Sequence, residues 1–138
     1  MVATSRLRVK TSGQGDAHDI TDDVRRAIGE GGVSNGIVTV FVVGSTAGIM
    51  TIEFEPGAIA DLNRLFDRLA PRGADYQHHL RWGDDNGSSH VRAAMLGPSI
   101  AVPFRDGELV LGTWQQIALF EFDTRPRRRE IVVQVMGE

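Results

Sequence analysis

The chain has no cysteine among its 138 residues, which excludes disulfides, thiolate metal ligands and a cysteine nucleophile together. It also lacks any apolar run near the ~20 residues needed to span a bilayer. Its first ten residues, Met1 to Lys10, contain no apolar segment of the secretory type. A basic excess is missing as well. Fifteen Lys and Arg stand against 18 Asp and Glu, a formal charge of −3, so the basic face that nucleic acid requires is not expected. Neither a G-x-x-x-x-G-K-[ST] phosphate loop nor a G-x-S-x-G nucleophile elbow occurs. Internal repeats and low-complexity tracts are absent. These absences leave a cytoplasmic protein, with no membrane partner, folded as a single domain over residues 1–138.

What is present reads as a mixed fold. Arg6 to Thr11 alternates charged and apolar residues, as a half-buried strand does. Ser12 to Asp16 is turn chemistry, and a short helix follows with Thr21 as N-cap, Asp22 and Asp23 in its first turn, and Gly29, Gly31 and Gly32 ending it. Gly36 to Val43 is apolar at nearly every position, which suits a strand covered on both faces, by the fold or by another subunit. The segment Gly44 to Gly48 interrupts it, and Ile49 to Phe54 resumes as strand. Pro56 to Leu69 is a helix with Ile59, Leu62, Leu65, Phe66 and Leu69 on one stripe. Val91 to Leu96 is read as a helix capped by Ser88 or Ser89. Strands follow at Ser99 to Phe104, Glu108 to Leu111, Trp114 to Phe122 and Glu130 to Met136, with Asp106-Gly107 as a hairpin turn. The sum is an α+β domain, mostly antiparallel, built as a two-sheet sandwich with two to three short helices. So much of the sheet is apolar on both sides that a homo-oligomer is expected.

The chemistry concentrates between residues 76 and 90, a stretch holding His78, His79, His90, Asp84, Asp85 and Asn86 and almost no aliphatic residue. It reads as an ordered loop that gathers polar ligands. His78 and His90 with a carboxylate are a sensible zinc set, although their spacing does not show that they meet. His79 should point away from His78 in an extended segment and be structural. Asp84 and Asp85 suit a metal, a general base or a turn with Asn86-Gly87, whose backbone is expected at positive φ. Glu53 sits between Ile52 and Phe54 and reads as a buried carboxylate that must be paired, metal-bound or protonated. Trp114 and Gln115 suit one wall and one hydrogen-bonding point of a pocket. Trp82 would stack on a flat ligand or anchor the loop. The basic run Arg125, Arg127, Arg128 and Arg129 could hold phosphate groups bidentately. It is read first as a solvated turn, or one paired with acids across a subunit boundary, because Glu121, Asp123 and Glu130 flank and neutralise it.

The string Leu109-Val110-Leu111-Gly112-Thr113-Trp114-Gln115-Gln116-Ile117, then Glu121-Phe122-Asp123 and the terminal Val135-Met136-Gly137-Glu138, resembles the YjbQ-like family, also called UPF0047. Further matching segments are Gly44 to Glu53, Tyr76-Gln77-His78, Asn86 to His90, and Leu96 to Pro103. The resemblance runs over essentially the whole chain. It implies an α+β sandwich assembled as a homotrimer with its sheets around the threefold axis. It also implies a divalent metal ion, zinc or magnesium, held by histidines, and a secondary thiamine-phosphate synthase activity. That reaction condenses a pyrimidine pyrophosphate with a thiazole phosphate and releases pyrophosphate, so the small-molecule ligand would be phosphorylated.

Carried onto this chain, the resemblance points to His78, His90 and Asp84 for the metal. Glu53, Asp85 and Gln115 are assigned to catalysis, and Asn86, Thr113 and Trp114 to holding the ligand or cofactor. Two positions depart from the family: relatives often carry histidine where Gly44 and Ser88 stand. A metal-binding enzyme is therefore the first reading. A non-catalytic metal- or metabolite-binding homotrimer is the alternative, and a loop serving assembly alone is the third.

Overall fold

The computed structural model describes residues 1–138. In chain order the elements are β1 (Val2–Lys10), β2 (Ala17–Asp19), α1 (Thr21–Gly31), β3 (Gly36–Val43), β4 (Ala47–Ile52), α2 (Pro56–Leu69), α3 (Gln77–Trp82), α4 (Gly87–Leu96), β5 (Ser99–Arg105), β6 (Glu108–Leu109), β7 (Gln116–Glu121) and β8 (Arg128–Gly137). Every ladder is antiparallel. One sheet has the order β1-β8-β3-β5-β6 and the other β2-β7-β4. The expected α+β two-sheet sandwich is therefore present, with four short helices rather than two or three.

Strand alternation builds the core. Val38, Val40 and Val42 of β3 and Ile131, Val133 and Val135 of β8 face inward and meet Ile49, Ile117 and Leu119 of the smaller sheet, with α1 closing one side through Val24, Ala27 and Ile28. The smaller sheet is covered on its other face too. Ala118, Phe120 and Phe122 pack there against Phe66 of α2 and Ala93 of α4, with Phe66 edge-on to Phe122 at 4.9 Å between ring centroids. This explains why Gln116 to Phe122 reads as apolar throughout: it is the middle of three layers. Within one chain the fold covers β3 only in part. Only one of its faces is covered; Ile37, Phe41 and Val43 stand exposed on the outer face of the larger sheet beside Val2 and Met136.

Helix ends follow capping chemistry, sometimes by other residues than expected. Thr21 is the first residue of α1, not its cap. Its hydroxyl donates to Asp19 Oδ1 at 2.6 Å and accepts the Ile117 N–H at 2.9 Å, so it is used to bind β7. Gly32 ends α1 at φ 68°, while Gly29 and Gly31 lie inside the helix. For α2 the cap is Glu55, whose carboxylate accepts the N–H groups of Gly57 and Ala58 at 2.7 and 2.8 Å. Those two bonds hold the Glu55 carboxyl below its ordinary value. The Asp106-Gly107 hairpin is as expected, with both residues at positive φ, 52° and 79°.

The polar stretch is not a loop. Tyr76 is extended and Gly83 is left-handed at φ 65°, and between them α3 makes one and a half turns. α4 starts at Gly87 with Asn86 as its cap residue, not Ser88 or Ser89. Asn86 has φ −107°, and Gly87 is not among the glycines at positive φ, so this dipeptide is not the turn that its composition suggests. Glycine is needed at position 87 for proximity: a Cβ there would lie 2.5 Å from Tyr76 Cβ.

Candidate functional site

Folding the stretch as two helices brings His78 and His90 together, with ring centroids 4.5 Å apart and planes tilted by 42°. Asp84 Oδ1 lies 2.9 Å from His78 Nδ1, which fixes the ring and leaves Nε2 as its other polar atom. His79, on the same short helix, accepts the Gly87 N–H at Nε2 over 2.9 Å and meets the Tyr76 ring edge-on, so it ties α3 to α4. Asp85 accepts the Thr124 hydroxyl at 2.9 Å, joining the α3–α4 connection to the turn between β7 and β8. Asn86 and Ser89 are buried, and Asn86 Oδ1 and Ser89 Oγ have no hydrogen-bond partner.

His90 faces a cleft of about 240 Å³ whose other walls are Gly44, Ser45, Ala47, Ala93, Ala94 and Pro98. Small side chains make this space. The two positions where the resemblance implies histidine, Gly44 and Ser88, lie in the same region. A Cβ at Gly44, which has φ 147°, would lie 2.8 Å from Arg129 Nη1. Ser88 is fully buried and accepts from Gln14 Nε2 at 3.3 Å. A larger side chain at either place would have to displace these neighbours.

A divalent ion is what the resemblance implies at this pair. His78 and His90 supply two imidazoles, and Asp84 already spends an oxygen on His78. Nowhere in the chain do three or more His, Asp or Glu side chains gather as a metal-ligand group. Catalytic zinc ordinarily keeps three protein ligands plus water. The residues of one chain therefore fall short of that set.

The remaining sequence candidates lie elsewhere. Gln115 donates from Nε2 to Thr51 Oγ1 at 3.1 Å and accepts the Gly112 N–H at 3.0 Å, which closes the turn from Gly112 to Gln115. Thr113 and Trp114 stand exposed in that turn, Trp114 at 71%, so Trp114 is neither core nor a wall of a pocket formed within the chain. Glu53 is exposed rather than buried, because β4 ends at Ile52 and the chain bends at once, with Glu55 N–H on Glu53 O at 2.9 Å. β4 and β7 pair from Ala47↔Glu121 to Ile52↔Gln116. That ladder, about 17 Å long, separates Glu53, Thr113, Trp114 and Gln115 from the histidine pair within one chain.

Sequence reasoning missed a buried ionic network at the histidine end of the same ladder. Arg129 is bonded to both carboxylate oxygens of Glu121, through Nε to Oε1 at 2.8 Å and through Nη2 to Oε2, and Nη2 also reaches Thr46 O and Oγ1. Thr11 Oγ1 donates to Glu121 Oε1 at 2.6 Å. Beside it Asp123, itself buried, takes the Arg127 guanidinium at 2.7 Å and the Thr124 N–H at 2.8 Å. Burial works to raise the Asp123 pKa, but the Arg127, Thr124 and Thr46 hydrogen bonds outweigh it and hold the carboxyl below its ordinary 3.8. The run of arginines is thus not a wholly solvated turn. Two of its members are matched inward with the acids that flank it in sequence, and the strand alternation of β8 is the signal that places Arg129 inside. Arg92 was also missed. It is buried, with Nε on Ala70 O and Nη2 on Asp67 Oδ1, both at 3.0 Å.

A two-sheet α+β sandwich with a histidine pair at a small cleft defines the class of protein. The family model described as UPF0047 protein YjbQ-like matches residues 5–138, and the chain belongs to that family. It is 38% identical over 137 residues to a UPF0047 protein of Methanothermobacter thermautotrophicus, covering 99% of this chain and 94% of that one. A UPF0047 protein of Archaeoglobus fulgidus is 35% identical over 130 residues, covering 94% and 98%. Among solved structures, a YbjQ-like protein of unknown function from Sulfolobus solfataricus superposes with a TM-score of 0.89 at 34% identity, covering 100% of both chains. A yjbq/UPF0047 family protein from Clostridium acetobutylicum gives 0.86 at 36% identity over 96% of this chain and 99% of that one. None of these relatives is described by an activity, a metal or an assembly.

Proposed function

We propose that this chain is a small-molecule-binding protein that works as a homo-oligomer, a homotrimer by its resemblance, with its ligand held in the cleft at His90. One observation carries the reading: His78, oriented by Asp84, lies against His90, which lines that cleft. Ala47, Ala93, Ala94 and Pro98 suit a compact apolar fragment, and His90 supplies the polar contact that orients it. The uncovered face of the larger sheet, with Ile37, Phe41 and Met136 exposed, supports assembly.

Elemental mass spectrometry of untagged protein, combined with thermal-shift screening of metabolites, tests the site. The expected result is a divalent ion or a metabolite retained by wild type and lost in His78→Ala/His90→Ala, with the oligomer unchanged. If neither ion nor metabolite distinguishes wild type from that variant, the reading falls.

A second, catalytic reading is thiamine-phosphate synthesis, favoured by the Asp84–His78 contact, since an imidazole oriented by a carboxylate is suited to moving a proton near neutral pH. It predicts thiamine phosphate formed from the pyrimidine pyrophosphate and the thiazole phosphate, falling about 100-fold in His78→Ala. No turnover in metal-supplemented wild type would remove it and leave the binding reading standing.

A further inference from the structure

The outer face of the larger sheet ends in a basic hollow that the histidine cleft does not include. Arg8 and Lys10 are two apart on β1 and both point outward. In the register of β1 against β8, Lys10 lies opposite Arg128 and Arg8 opposite Glu130. Like charges set directly across a ladder repel. The single acid lining the hollow, Glu130, is bonded to Arg6. Arg8, Lys10 and Arg128 make no hydrogen bond or ion pair to any side chain, whereas Arg127 and Arg129 nearby are matched with Asp123 and Glu121. The three unmatched cations line a hollow of about 330 Å³, and a second of about 240 Å³ adjoins it through Lys10 and Arg128. A chain with net charge −3 thus concentrates unpaired positive charge at one place and leaves it uncompensated.

We propose that this hollow is a binding site for a compact oligoanion of the phosphate class, a diphosphate group on a metabolite or free pyrophosphate. Two positions along a strand and one strand across define a patch of about 7 by 5 Å, the size of one or two phosphate groups. Nucleic acid would need a basic stripe that tracks a backbone, whereas the next cation along β1, Arg6, is paired with Glu130. Two guanidinium groups with an ammonium between them match phosphate oxygens, the guanidiniums in bidentate fashion. A bound anion would also remove the repulsion between Lys10 and Arg128. This site is independent of the reading given to His78 and His90.

Isothermal titration of the full chain with inorganic pyrophosphate and, separately, monophosphate at low and high salt tests the proposal. Pyrophosphate is expected to bind more tightly than monophosphate and more weakly as salt rises. Lys10→Ala/Arg128→Ala should weaken it by about tenfold for each cation removed. Lys10→Arg should keep the affinity, and so should Arg68→Ala on the distant helix α2. His90→Ala must leave pyrophosphate binding unchanged, which separates this site from the cleft. Because Lys10 and Arg128 are exposed and repel each other, their double variant should melt no lower than wild type. No pyrophosphate binding, or equal affinity in the double variant, overturns the proposal. So does adsorption to anionic phospholipid vesicles without affinity for pyrophosphate, and so does a double variant that changes oligomer mass alone.

Discussion

At the scale of single residues, Glu121 is where sequence and fold meet most tightly. It ends β7 with its side chain fully buried, and two of its neighbours along the chain, Phe120 and Phe122, are buried too. A carboxylate in that setting survives because Arg129 and Thr11 satisfy both of its oxygens. Glu121→Ala leaves Arg129 as an uncompensated buried charge and should cost about 3–5 kcal/mol, read as a lowered urea midpoint with unchanged slope. Removing both partners, Glu121→Leu with Arg129→Met, should recover most of that loss; a double variant as unstable as the single one would refute the pairing. The residue types set Glu121 against the arginine run but did not announce that the pair is buried, since arginines beside a proline read as a solvated turn. Only the alternation of β8 puts Arg129 inward and Arg128 outward.

Among the elements, α2 was legible as a helix with its bounds. Its bounds follow from Pro56 at its start and its apolar spacing, although of that stripe Phe66 is buried, Ile59 and Leu62 are half-buried and Leu65 and Leu69 stand exposed. β3 was equally clear as a continuous apolar run between glycines. Helix α3 was not, because its six residues carry no apolar stripe. They are held as a helix by Gly83 at its end, and by the His79 and Tyr76 contacts to α4 and to one another. The site followed the same rule. His78 and His90 were found by residue type, while Glu53, Thr113, Trp114 and Gln115 were grouped with them although the β4–β7 ladder keeps them at its opposite end. Strand register is long-range information that spacing does not carry. For α2, the cap makes a pH prediction. The Glu55 carboxyl is lowered below 4.5 by the Gly57 and Ala58 N–H groups, so its contribution is complete above that value and fades as pH falls through the lowered one. Wild type should exceed Glu55→Ala in thermal stability at pH 6, and the gap should close as the solution is acidified below about 4. A gap that stays constant from pH 6 to pH 3 would show that the cap's charge does nothing.

At the level of the whole molecule, the two faces of the larger sheet are unequal. The inner face is sealed by the smaller sheet and α1, while Val2, Ile37, Phe41, Val43 and Met136 remain outside at 55%, 52%, 40%, 49% and 56% exposure. Light scattering on a sizing column should give a mass above one chain, three chains if the family resemblance holds. Ile37→Asp/Phe41→Asp should reduce it to one without loss of the far-ultraviolet circular dichroism of the fold. A monomeric wild type would leave this apolar face without a use in assembly. The strand order β1-β8-β3 has a consequence of another kind. β8 is inserted between the first strand and the third, so a growing chain holds the alternating β1 and the apolar β3 apart, each lacking this neighbour, until residues 128–137 have left the ribosome. Such a chain closes its larger sheet late and all at once, and it is most vulnerable to aggregation just before β8 is free to pair.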